Sequence, residues 1–150
     1  MKTVSYEELP KLAGQEMGTS EWVTIDQDRI NKFADATGDH QWIHVDVERA
    51  KKEMPGGKTI AHGYLTLSLI PMLGAEILRV TGVSRGINYG SNKVRFTNMV
   101  PVGSRVRARQ KLLAAEPKAG GLQMTNEITI EIEGQDRPAC VAETISLVYK

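Results

Sequence analysis

The stretch from Ile60 to Val80, and the change of pattern after it, limits the possible folds most. Leu65, Leu69, Met72 and Ile77 recur near one face at helical spacing, and Leu67, Ile70, Leu73 and Leu78 widen that face. Apolarity this broad predicts a long helix wrapped by other structure rather than one resting on a surface. Pro71 lies well inside the pattern and removes one helical hydrogen bond, which predicts a kink near Leu67 to Pro71. After Thr81-Gly82 the period becomes strict alternation. Arg85 to Thr97, Ser104 to Leu113, Leu122 to Glu133 and Pro138 to Tyr149 read as consecutive strands. The third is the clearest, with Leu122, Met124, Ile128, Ile130 and Ile132 on one face and Gln123, Thr125, Glu127, Thr129 and Glu131 on the other. Lys118-Ala119-Gly120-Gly121 and Gly134-Gln135-Asp136 supply turns. One helix followed by a run of strands predicts an α+β arrangement, an antiparallel sheet with the helix on one face.

Upstream, Glu21 to Ile25 reads as a short strand. Asp26 is a good helix N-cap, with Thr24 and Gln27 as a competing capping box. Ile30, Phe33, Ala34 and Thr37 give the following helix one buried face. Gly38 is placed to stop it as a left-handed residue. A second short helix starts from the Asp46 cap and runs through Glu53, and Met54-Pro55-Gly56-Gly57 ends it in a loop.

The chain is expected to form one domain over residues 1–150. Its net charge of +1 argues against bulk binding to nucleic acid or to an anionic membrane. Met1 to Leu12 lacks the apolar centre of a signal peptide, and His62, Pro71, Glu76 and Arg79 interrupt the longest apolar region, so no membrane span is expected. The single cysteine, Cys140, excludes an internal disulfide framework, fits a cytoplasmic location and reads as a small buried residue in a strand.

The chemistry concentrates between Ala34 and Val45, which hold two of the three histidines. Asp39 and His44 are five apart, so one straight helix would not bring them together, but a turn after Gly38 can. Carboxylate and neutral imidazole together can hold and deprotonate a water molecule. The spacing alone does not separate such a pair from a capping aspartate and an unrelated histidine. A second element, Ala61-His62-Gly63-Tyr64, opens the long helix. The first N–H groups of a helix lack internal partners, and Gly63 leaves its N–H open to a ligand oxygen, an oxyanion-hole role, or simply permits close packing. His40, His44 and His62 do not make a convincing metal set, because no fourth ligand accompanies them. Arg105, Arg107, Arg109 and Lys111 share one strand face, either solvated or aimed at phosphates. Asn88, Asn92, Lys93 and Arg95 cluster on the strand near the expected site, and Tyr64 either lines a pocket or caps the core.

The run Phe33-Ala-Asp-Ala-Thr-Gly-Asp-His-Gln-Trp-Ile-His-Val-Asp46 resembles the hydratase motif of MaoC-like dehydratases, the (R)-specific enoyl-CoA hydratases. Ile60-Ala-His-Gly63, Val94-Arg-Phe96 and Val100-Pro-Val-Gly103 are similar to that family's later segments, in the same order. The wording around Gly38-Asp-His-Gln-Trp-Ile-His44 also looks like the branch with nodulation protein N-like proteins. The resemblance spans about Trp22 to Val148. It implies a hot-dog fold, a homodimer, and reversible addition of water to trans-2-enoyl-CoA. Asp39 and His44 would be the catalytic pair and the Gly63 N–H the oxyanion donor. Gln41, His62, Tyr64 and Asn88 would be substrate-binding or supporting residues. No metal or redox cofactor is implied, and coenzyme A enters only as part of the acyl-CoA substrate. Where the family motif has Asn-Pro, this chain has Gln41-Trp42. Trp42 reads as core packing or as a pocket wall. A hot-dog thioesterase, with Glu76 as the carboxylate to consider, and a non-catalytic acyl-CoA-binding protein are the competing functions.

Overall fold

The computed structural model describes all 150 residues, Met1–Lys150. Its largest element is an antiparallel sheet in the order β2-β6-β7-β8-β5. The strands are β2 (Glu16–Thr19), β5 (Arg85–Arg95), β6 (Arg105–Lys118), β7 (Gly121–Ile132) and β8 (Cys140–Tyr149). A two-residue strand, β3 (Val23–Thr24), also pairs with β6. The β6–β7 hairpin turns through Ala119 (φ 51°) and Gly120 (φ 82°), between the paired Lys118 and Gly121. Two successive positive φ values match the right-handed twist of the strands that the turn joins.

Alternation sorts the sheet's faces as expected. Leu122, Met124, Ile128, Ile130 and Ile132 are buried, with Val106, Ala108 and Leu112 on the neighbouring strand. A bulge between Leu112 and Ala114 shifts the register and turns Ala115 inward. Two amide side chains, Gln110 and Asn126, interrupt these interior rows. On the opposite face Arg107 and Arg109 reach Glu131 at 2.7 and 2.6 Å, and Arg105 reaches Glu133 at 3.0 Å. The arginine stripe is therefore a cross-strand ion-pair ladder on the outer face, not a free phosphate cradle. Cys140 is buried in β8, and burial pushes its thiol up to about 11, so it stays protonated.

The helix enclosed by the sheet differs in extent from the expected Ile60-to-Val80 helix. It consists of α4 (Gly63–Ser68) and α5 (Ile70–Gly74), joined through Leu69. Pro71 accounts for the joint, since it cannot donate to the carbonyl of Leu67. At the front, backbone bonds from Ile60 to the Ile43 carbonyl and from Ala61 to the Val100 carbonyl hold residues 60–61 in a loop. At the back, β4 (Leu78–Thr81) pairs in parallel with β1 (Lys2–Ser5). Leu65, Leu69, Leu73 and Ile77 form the buried row toward the sheet, whereas Met72 is exposed. Sheet and helix together make the hot-dog arrangement.

Three further α-helices precede this one, α1 (Gln27–Thr37), α2 (Trp42–Val45) and α3 (Val47–Glu53), with 3-10 turns at Tyr6–Leu12 and Pro55–Gly57. The Asp26 side chain accepts from the Arg29 N–H at 2.9 Å, so Asp26 rather than Thr24 caps α1. Gly38 is left-handed, with φ 79°, and its N–H closes on the Ala34 carbonyl at 2.8 Å. Asp46 caps α3 as expected, and α2 is a single turn that local periodicity does not announce.

Candidate active site

Gly38 ends α1 and swings the chain so that Asp39 leaves it at an angle. The single turn of α2 then carries His44 inward, with its N–H on the Gln41 carbonyl at 3.0 Å. Gln27, at the start of α1, secures this turn from below. Its Nε2 donates to the His44 carbonyl at 2.8 Å, and its Oε1 accepts from the Thr59 hydroxyl at 2.6 Å. His44 is buried. Its Nδ1 lies 2.7 Å from the Ile60 carbonyl, which can only accept, so Nδ1 carries the proton and Nε2 presents a lone pair.

His62 lies beside it, fully buried. Its Nε2 donates to the Asp39 carbonyl at 3.0 Å. Its ring stacks on that of His44, with centroids 3.8 Å apart and 24° between planes, and Phe33 packs against it at 4.9 Å. His62 Nδ1 is buried without a hydrogen-bond partner. His62 thus holds the Asp39 backbone and the His44 ring together. One ligating atom from each of Asp39, His44 and His62 falls within 4.8 Å of the others. A single water molecule spans such a gap with two hydrogen bonds of about 2.8 Å at a bent angle. Each of the two stacked imidazoles has one nitrogen committed to a backbone carbonyl, His44 Nδ1 to Ile60 and His62 Nε2 to Asp39, which leaves one nitrogen on each.

Burial is the main reason that the His44 pKa is lowered from its ordinary value. The nearby His62 also lowers it, while the Ile60 carbonyl and the Asp39 carboxylate pull the other way. His44 is therefore a neutral base at neutral pH. An NMR titration of the His44 ring should give a midpoint below the ordinary value of about 6.5, and lower again in Asp39→Asn, where the attracting carboxylate is gone. A midpoint above that of free histidine would contradict this. The folded state binds this proton more weakly than the unfolded chain. The associated stability is thus complete above about pH 6.5 and is lost as pH falls below it.

Gly63 opens α4 a few residues away, and neither the backbone nor the side-chain hydrogen bonds supply an acceptor for its N–H. The preceding His62 is extended, with φ −61° and ψ 140°. A Cβ at position 63 would meet the Phe96 ring at 3.1 Å, so the Gly63–Phe96 approach depends on glycine. His44, Gly63, Thr66, Phe96, Met99 and Arg137 are among the residues around a cavity of about 360 Å³.

The residues singled out from sequence are placed as follows. Asp39, His44 and His62 come together, and His44 and Gly63 border one cavity. Gln41 contributes through its backbone, its N–H lying 3.3 Å from Asp39 Oδ1. Tyr64 is 69% exposed, edge-on to Phe96, and lines neither pocket nor core. Asn88 sits on β5 beside a different, larger cavity. Trp42 is half-buried under the Arg49 guanidinium, 4.0 Å from its ring centre, and anchors α2 to α3. His40 pairs with Asp35 at 2.9 Å, away from the other histidines. Glu76 accepts the Glu21 N–H at 2.9 Å beyond the far end of α5. The roles of Gln27 and of the Ile60 carbonyl carry no local signal, since both depend on segments distant in sequence.

The sequence model of the MaoC like domain family matches residues 8–132. The 3-hydroxyacyl-thioester dehydratase Z of Mycobacterium tuberculosis is 55% identical over 142 residues, covering 94% of this chain and 93% of that protein. Nodulation protein N of Rhizobium leguminosarum bv. viciae is 45% identical over 150 residues, covering 99% and 93%. The solved R-hydratase PhaJ1 from Pseudomonas aeruginosa shares the fold, with a TM-score of 0.71 at 24% identity over 92% of this chain and 82% of that one.

Proposed function

Because the chain belongs to the MaoC-like domain family, we propose that it is a hydro-lyase that reversibly adds water to trans-2-enoyl thioesters, giving (R)-3-hydroxyacyl thioesters. The observation that carries the reading is the fixed tautomer of His44, whose Nδ1 is committed to the Ile60 carbonyl while a ring nitrogen of His44 lies within 4.8 Å of an Asp39 carboxylate oxygen. In the forward direction Asp39 orients a water and His44 Nε2 takes its proton as the oxygen attacks C3 of the substrate. Negative charge moves to the thioester oxygen, where the Gly63 N–H receives it. The proton then passes from the pair to C2, and dehydration runs the same steps backward. This chemistry transfers no electrons and uses no metal or redox cofactor, and coenzyme A arrives with the substrate.

The proposed assembly is a homodimer built on β5. That strand pairs only with β8, is exposed along nearly all its length, and shows Ile87 and Tyr89 half exposed. An edge this long is normally covered. A sedimentation mass of one chain would sink this assignment. No helix is long and apolar enough to cross a membrane. The single cysteine, which leaves no internal disulfide, and the acyl-CoA substrate support a cytoplasmic location.

Glu76, the carboxylate a thioesterase reading would call on, is engaged by the Glu21 backbone outside the site. Crotonyl-CoA should lose its enoyl absorbance with the enzyme and yield (R)-3-hydroxybutyryl-CoA. Release of free thiol with the enoyl group intact would instead make the protein a thioesterase. Binding without turnover at any chain length would make it an accessory protein.

A further inference from the structure

Along α4 the cavity at His44 ends at Thr66, and a larger one of about 1010 Å³ begins at Leu67 and continues past Gly74, between the helix and the sheet. No charged side chain lines it. Its walls are apolar near Leu67, Ile70 and Leu78, and polar where Gln110 and Asn126 reach it from the sheet. Gly74 lies eleven residues beyond Gly63, about 16 Å at the helical rise. A chain that extends from a thioester at Gly63 and passes between the two cavities at Thr66 and Leu67 would meet this polar pair far from the reacting carbons.

Gln110 and Asn126 are 6% and 7% exposed and interrupt rows that are otherwise apolar. Gln110 Nε2 donates to Asn126 Oδ1 at 2.9 Å, their one shared bond. That leaves Gln110 Oε1 as an acceptor and Asn126 Nδ2 as a donor, and neither is sealed off as His62 Nδ1 is. Gly74 lies beside this acceptor, where an added Cβ would make ordinary van der Waals contact with Gln110 Oε1 at 3.8 Å. Placing amides in a core costs free energy unless their hydrogen bonds are met, and here Gln110 Oε1 and Asn126 Nδ2 have no partner within the protein while both residues line the cavity.

We propose that Gln110 and Asn126 recognise a neutral oxygen function, hydroxyl or keto, carried on the distal part of the substrate's acyl chain. The proposal rests on the hydro-lyase reading above. A distal carboxylate is disfavoured, because this chain lines the cavity with no cation to offset its burial. Since the two amides already bond each other, the preference is moderate, about one hydrogen bond or tenfold in kcat/KM.

The test compares two long trans-2-enoyl-CoAs of equal length, one plain and one with a distal hydroxyl, with crotonyl-CoA as a reference too short to reach the pair. The wild type should favour the hydroxylated chain about tenfold. Gln110→Leu combined with Asn126→Leu removes both partners together and should reverse the order. Gly74→Ala, which leaves the pair intact and suits a helix, should reduce the preference by shielding Gln110 Oε1. Crotonyl-CoA turnover should stay within about twofold of wild type in both variants, well below the worth of one hydrogen bond. A wild type that favours the plain chain, a preference unmoved by both variants, or an equal loss on all three substrates overturns the proposal. Calorimetric binding of the saturated analogues reads the same preference without turnover. Failure of hydration with the binding order intact would therefore count against the hydro-lyase reading alone.

Discussion

Asp39→Asn and His44→Ala should each lower kcat for enoyl hydration by about 10²-fold or more, the ordinary scale of positioned acid-base catalysis. Neither change should unfold the protein. The Asp39 carboxylate is exposed, and its hydrogen bond from the chain is a long one from the Gln41 N–H, at 3.3 Å. His44→Ala leaves the Ile60 carbonyl without its donor and uncovers one face of His62, so some loss of stability accompanies the loss of rate. His44→Asn provides the control, because its amide sits where Nδ1 does and can still donate to Ile60 but cannot act as the base. The double variant should lose little beyond the worse single one, since both groups act on one water. Additive losses would mean that they handle different protons. Full activity in either single variant would remove the pair from the mechanism.

The second large effect concerns a backbone atom. Gly63 is the first residue of α4, where proline is tolerated because its missing N–H has no helical partner to lose. The extended His62 before it already has the conformation that precedes proline. The obstacle is the Phe96 ring, and Phe96→Ala removes it. In that background Gly63→Ala adds a Cβ and keeps the N–H, whereas Gly63→Pro deletes the N–H. The proline variant should fall below the alanine variant by about 10²-fold in kcat, the range measured when one oxyanion donor is removed. KM should change far less, since the contact strengthens as charge develops. Equal rates in the two variants would place the oxyanion elsewhere.

Elements governed by neighbouring residues are legible in the amino-acid sequence. The Asp26 cap, the Gly38 stop and the alternation of β7 each depend on signals within a few positions, and all three are present in the fold. The far end of the apolar helix is not legible in the same way. Leu78 to Val80 fits a helix pattern as well as a strand pattern, and its pairing with Lys2–Ser5 is decided across the whole chain. The one-turn α2 is too short to show a period. Gly38 allows Asp39 and His44 to converge, but only the family resemblance singles them out. Gln27 and the Ile60 carbonyl, which orient His44, depend on contacts that no local pattern encodes. Gln110 and Asn126 look like lapses in an alternating pattern, and only the fold shows that their amides bond each other at the edge of a cavity.

The joint at Leu69 divides labour along the enclosed helix. α4 presents the backbone end where a thioester would be polarised, and α5 walls the room for whatever the thioester carries. Leu69 bonds to both pieces, but Pro71 leaves one helical bond between them unmade, so changes in residues 70–74 are partly insulated from Gly63. A lineage built on this plan can thus diversify its acyl groups while inheriting its chemistry unchanged.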